Sequence, residues 1–223
     1  MRYELALAWQ HLILRRWVVL ESFTTPDCYG VMFDVRTGQD RKPLGPKIVE
    51  DMKGILEGKS LKVISIERNR SDSGIAGSAK AGLARMGIKA IPRNMPVYLA
   101  VFYHAHFGLT DITDGEIEFE GKTARLTIER IEAPAKPFLG EMEFEVLGRY
   151  LDGLDYQTIA KQRDVAFRTV HAQVQSIHDK LGVSQRNHVI AFLTREHARL
   201  PAVLAERAAL VGARRTPTRS SRA

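Results

Sequence analysis

The chain contains one cysteine in 223 residues, Cys28, so no internal disulfide framework can form and a reducing compartment is the expected home. It also lacks an unbroken apolar run long enough to cross a bilayer. The most apolar stretch, Leu5 to Leu20, is interrupted by His11, Arg15 and Arg16, and no small-residue cleavage site follows it. No membrane association and a cytoplasmic location are therefore expected. There is no internal repeat, no GxGxxG and no Walker spacing of glycines. Acid does not dominate either: 33 Lys and Arg against 26 Asp and Glu give a net charge of +7, which favours a polyanionic partner.

What is present is concentrated in the last third, from Phe138 to Leu193. Met142, Val146, Leu147, Tyr150 and Leu151 recur at helical spacing, with Glu141, Glu143 and Glu145 near the start, where the helix dipole favours acid. Gly153 ends this helix, and Asp155 caps a second from Tyr156 to Arg163, with Ile159 and Ala160 inward. A third helix is predicted from Phe167 to Leu181, with Val170, Val174, Ile177 and Leu181 as its apolar row and Gly182 as its stop. Ser184 is expected to cap a fourth carrying Val189, Ile190 and Leu193. Helix, tight turn and helix is the arrangement that places a recognition helix in a major groove.

In register, Glu143-x-Glu145-Val146-Leu147, Gly153-Leu154, Ile159-Ala160, Thr169-Val170 and Lys180-Leu181-Gly182-Val183 with Arg186 closely resemble the LuxR-type (GerE-like) helix-turn-helix. The fourth region of sigma factors shares Tyr-x-x-Ile-Ala and Thr-Val, but the Lys180 to Val183 ending favours the LuxR type. The chain departs from that pattern where Arg163-Asp164 replaces a Leu-Gly pair, Gly140 replaces a Thr, and His171 and Gln173 stand where Lys and His are common. The resemblance implies a transcription regulator that binds double-stranded DNA through Phe167–Leu181. It places base contacts at His171, Ala172 and Gln175 and phosphate contacts at Arg168 and Thr169; Lys161 and Arg163 are further cations placed locally for phosphate. Gln can pair with adenine, His can donate to guanine, and Ala can touch a thymine methyl. It also implies a homodimer meeting through His188, Val189 and Phe192 of the fourth helix.

Residues 138–196 hold 7 Lys and Arg against 8 Asp and Glu, while 197–223 hold 6 Arg against one Glu. Counterion release would then draw on the Arg-rich end of the chain, where Pro201 starts a last helix to about Ala213 and disorder is expected from Thr216.

Before this module, Leu5–Leu20 reads as one amphipathic helix whose apolar faces need a core or a second subunit. Tyr29–Val35, Leu61–Glu67 and Val97–Phe107 read as strands and Lys47–Glu57 and Ala76–Met86 as helices. Glu116–Glu120 and Thr123–Ile131 form a hairpin at Gly121-Lys122, with Ile117, Phe119, Leu126 and Ile128 on its inner face. The expected fold is an α+β or α/β N-terminal domain followed by an all-α four-helix domain: 1–132 as a regulatory or interaction domain, 133–137 as a stiff linker, 138–196 as the helix-turn-helix and 197–223 as a helix with a basic tail. The first part matches neither the acyl-homoserine-lactone binding domain nor a phosphoacceptor receiver.

Other readings exist. His104 and His106 could chelate a metal from one side of a strand, and Gly74 to Lys80 could cradle a phosphate, but core histidines and a plain strand-to-helix connection flanked by solvated Arg68 and Arg70 account for both. No metal, cofactor or catalytic residue is expected. Asp34, Glu67, Asp111 and Asp114 faintly resemble, in order and type, the carboxylates of RuvC and RNase H-like magnesium nucleases. From another class, the chain could be an anti-activator or co-activator that binds RNA polymerase or another regulator, with DNA contact secondary.

Overall fold

The computed structural model describes residues 2–36, 41–112 and 115–215. Helix α1 (Arg2–Ile13) stops well before Leu20, because Arg15 turns left-handed at φ 58° and the chain enters strand β1 (Trp17–Thr24). Trp17, Val18 and Val19 are bulky or β-branched and prefer a strand, whose alternation buries Trp17 and Val19 and turns Leu20 outward. Leu5, Trp9 and Leu12 remain one buried row, so α1 is covered within the chain.

Strand β2 (Cys28–Val35) pairs with β1, and the hairpin β3 (Gly115–Glu120) and β4 (Thr123–Glu129) completes an antiparallel sheet of order β1-β2-β4-β3. The hairpin turns at Gly121-Lys122 as expected. Its inner face buries Leu126 and Ile128 fully and Ile117 partly, whereas Phe119 sits at the rim, 63% exposed. Tyr29, Val31 and Phe33 extend that face beneath α1 and the later helix Val97–His106.

Two expected strands are helices. After α2 (Pro46–Leu56), the segment Leu61–Arg68 is α3: Ser60 caps it by accepting from the Val63 amide (3.2 Å), and Asn69 ends it left-handed. Local capping outweighs the β-branched Val63, Ile64 and Ile66 here. α4 (Asp72–Arg85) follows, and Val97–His106 is α5, buried at every position from Val97 to His104. An apolar run of this length fits a helix buried all round as well as a strand, so periodicity alone could not decide it. Among the described residues the result is one antiparallel sheet with helices packed on it, an α+β fold, rather than strands alternating with helices.

Ala133–Phe138 forms 3-10 turns with Ala135 buried, leading into α6 (Glu141–Leu151), α7 (Tyr156–Gln162), α8 (Phe167–Leu181), α9 (Arg186–Arg195) and α10 (Leu200–Arg215). Gln185, not Ser184, occupies the cap position of α9. The expected disorder from Thr216 lies outside the described residues. One hydrophobic cluster runs from Leu5 through the sheet and α5 into α6–α10.

Candidate nucleic-acid interface

Three local devices aim α8. Asp155 accepts the Thr158 amide (2.8 Å) and fixes the start of α7. Asp164, where a glycine would be easier, adopts φ 51° and turns the chain between α7 and α8. Gly182, at φ 63°, lets its own amide and that of Val183 return to the carbonyls of Asp179 and His178, closing the helix. Val170, Val174, Ile177 and Leu181 are buried as spacing predicted, together with His178.

The opposite face of α8 is open. Arg168, Ala172, Gln175 and Asp179 lie along its centre by helical geometry, with His171 and Thr169 on either flank, and all six are exposed. The Gln175 amide donates to the Asp179 carboxylate (3.1 Å), and His171 rests 5.9 Å from the ring of Tyr156 and 6.2 Å from that of Phe167. Lys161 is exposed on α7. Gln173, by contrast, is half-buried and accepts from Arg163 (2.8 Å), so it belongs to the scaffold.

Residues 138–193 match the family of bacterial regulatory proteins, luxR family (GerE). This segment is a LuxR-type helix-turn-helix. At the level of that family it is a DNA-binding regulator module. No curated protein and no solved structure matches the chain.

Within the LuxR-type segment most cations are already engaged. Arg163 donates to Glu145 (3.0 Å) and contacts the Met142 sulfur, which makes it a brace across the α7–α8 turn rather than a phosphate contact. Arg149 donates to Glu145 (2.9 Å) and Gln162 (2.6 Å), and Lys180 to Glu143 (2.6 Å). Glu143 also accepts from Ser176 (2.7 Å) and from the Gly140 amide (2.8 Å), serving the helix start where no hydroxyl is available at position 140. Burial opposes ionisation of Glu143 and Glu145, but these donors outweigh it and hold both carboxyls below their usual range. Arg207 of α10 donates to the Leu181 carbonyl and stacks on Phe192, so it caps α8 instead of facing outward.

The residues that sequence reasoning undervalued lie at the start of α9. Arg186, quoted only as a family match, is buried and donates to the carbonyls of Tyr150 (2.7 Å), Leu151 and Met95 (2.8 Å). Burial lowers its pKa to about 10, which leaves it charged at neutral pH. Asn187 donates to the Pro92 carbonyl (2.8 Å) and Gln185 to that of Gly58 (3.1 Å). A cation at a helix N-terminus opposes the dipole, and that was the available hint that Arg186 serves something else. Val189 and Phe192, expected at a dimer contact, are buried within the chain, and His188 is half-buried.

The rival sites are not assembled. His104 and His106 sit on helix α5, where residues two apart diverge; His104 is fully buried and His106 contacts the Ala6 carbonyl (3.1 Å). Gly74 to Lys80 lies inside α4, its amides committed to the helix, and Arg68 and Arg70 are paired with buried Asp51 (2.9 and 2.6 Å) rather than solvated. Of the four carboxylates, Asp34 pairs with Arg36 (2.5 Å), Glu67 lies on helix α3 paired with Lys59 (2.9 Å), and Asp111 accepts the Ala198 amide (3.1 Å). Asp114 lies outside the described residues. Among the described residues no group of three His, Cys, Asp or Glu could hold a metal, and no helix is long and apolar enough to cross a membrane.

Proposed function

We propose that this chain is a sequence-specific transcription regulator whose helix α8 reads the major groove. The observation that carries the proposal is the exposed outer face of α8, Arg168, Ala172 and Gln175 with His171 and Thr169, on a LuxR-type scaffold whose inner row is locked. In this reading His171, Ala172 and Gln175 contact base edges, and Arg168, Thr169 and Lys161 contact phosphates. Discrimination per good bidentate pair is about 1–3 kcal/mol. Residues 1–132 form a regulatory domain, 133–137 join it to the helix-turn-helix at 138–196, and 197–223 form the C-terminal helix and basic tail. The protein acts in the cytoplasm. It works as a homodimer, because one such helix reads only a half-site. With Val189 and Phe192 buried, the mate must meet another surface or displace part of the chain that covers α9.

Selection from a random duplex library by the purified full-length protein, beside a His171→Ala, Gln175→Ala double variant, tests this. The expected result is a two-fold symmetric motif that the variant loses. The second reading, a regulator that works by binding RNA polymerase or another regulator, is favoured by the internally paired cations of the LuxR-type segment. It gains if no motif is enriched.

A further inference from the structure

We infer that Lys62 of α3 and Arg93 of the 3-10 turn Pro92–Asn94 grip the DNA backbone flanking the half-site, an inference that rests on the chain being a DNA-binding protein.

A cleft of about 800 Å³ separates the LuxR-type segment from α3 and this turn. On one side are Tyr156 and Gln157, which open α7, and Phe167, which opens α8; on the other are Lys62 and Arg93. In a helix-turn-helix the N-terminal residues of the recognition helix approach the bases while the preceding helix crosses the backbone. The cleft therefore borders the end of α8 that enters the groove, and cations across it stand where the next phosphates run. Lys62 and Arg93 are exposed, and neither has an ion-pair partner among the described residues. Lys59, in the same cleft, is held by Glu67, while Arg186 is spent on backbone carbonyls. Two carboxylates also line it, Asp72 and Asp155, and Asp155 is turned to the Thr158 amide.

The geometry is fixed, not incidental. Three consecutive side chains at the start of α9 clamp the segments that carry these cations: Gln185 to the Gly58 carbonyl, Asn187 to that of Pro92 and Arg186 to that of Met95. Gly58, at φ 84°, permits the approach, since a Cβ there would come within 3.0 Å of the His188 Cα. Charge supply points the same way. In the LuxR-type segment Arg149, Arg163, Lys180 and Arg186 are engaged, leaving Arg168 and Lys161 as exposed cations without an ion pair beside the groove-facing surface. Two such cations beside that surface leave the rest of the counterion release, on which non-specific affinity depends, to cations elsewhere, such as Lys62, Arg93 and the Arg-rich C-terminal end.

The test is binding of the full-length protein to a mixed-sequence duplex long enough for two half-sites, and to the motif selected from the library, over about 50 to 200 mM salt. For Lys62→Gln, Arg93→Gln the slope of log affinity against log salt should fall by about 1.8, with roughly tenfold weaker binding on both duplexes alike. Lys62→Arg, Arg93→Lys should keep the wild-type slope, and unchanged unfolding midpoints establish that the fold is intact. A double Gln variant with the wild-type slope on a protein that binds DNA overturns this inference while leaving the DNA-binding reading in place. Absence of any salt-dependent binding by the wild type overturns both.

Discussion

Arg186 gathers three carbonyls, two of them from the end of α6, through three separate nitrogens of its planar guanidinium. Arg186→Ala takes the side-chain donor from the Leu151 and Met95 carbonyls, while the Tyr150 carbonyl keeps the Gly153 amide (3.1 Å), and it opens a void, so urea denaturation should show a loss of about 2–4 kcal/mol. Arg186→Lys should recover only part of that, because its three donors sit on one nitrogen and cannot span carbonyls that Arg186 reaches from three. His104 makes a different demand. It is fully buried, and burial with the nearby Arg195 depresses its pKa to about 3 against a smaller opposing effect of the Leu56 backbone. The folded protein keeps it neutral, whereas the unfolded chain takes up a proton below pH 6.5. Stability should therefore be full above pH 6.5 and fall as the pH drops towards 3. His11, His178 and His188, also shifted down by burial, add to the same trend. In His104→Leu the acid-sensitive fall between those pH values should shrink by a few kcal/mol in urea titrations at stepped pH; a curve parallel to wild type would contradict this account.

At the level of elements, legibility followed how local the deciding signal was. Helices α6, α7 and α8 could be read because cap, apolar row and stop lie within each stretch, as with Asp155, Val170 and Gly182. The exposed set on α8, proposed to face the groove, followed from the same row, since exposure is its complement. Leu61–Arg68 and Val97–His106 could not be read so simply: β-branched residues favoured a strand in the first, and in the second an all-apolar run carries no period. The clamp from Gln185 to Asn187 was beyond local pattern altogether, as its partners lie about 90 to 130 residues away in sequence. The turn between α7 and α8 allows an element-scale test. Asp164 holds φ 51° without glycine, so Asp164→Gly should be tolerated, while Asp164→Val should cost about 1–3 kcal/mol and weaken DNA binding by misaiming α8. Thermal unfolding and a duplex titration read both effects; a Val variant as stable as wild type would show that the turn is not held left-handed.

Across the whole molecule, the apolar surface of α9 is covered from within the chain. Val189, Ile190 and Leu193 belong to the cluster that also contains the sheet and α5, and α9 meets both α2 and α5. A LuxR-type segment cut free of residues 1–132 would expose that surface together with the three clamping side chains, and burial of this kind is worth about 25 cal/mol per Å² of apolar area. This shared packing predicts that residues 1–132 and the LuxR-type segment are coupled in folding. Both tryptophans, Trp9 and Trp17, lie in the first part and are buried there, whereas far-ultraviolet circular dichroism reports the helices of both parts, α1–α5 and α6–α10. Denaturation followed by tryptophan fluorescence and by circular dichroism should give one coincident transition, the signature of a single cooperative unit. Asn187→Ala, which removes one clamp and leaves the Pro92 carbonyl unpaired, should lower the common midpoint by the equivalent of about 1–2 kcal/mol without separating the two curves. Two resolved transitions in the wild type would mean that the LuxR-type segment stands alone, and that the coverage of α9 contributes little to its stability.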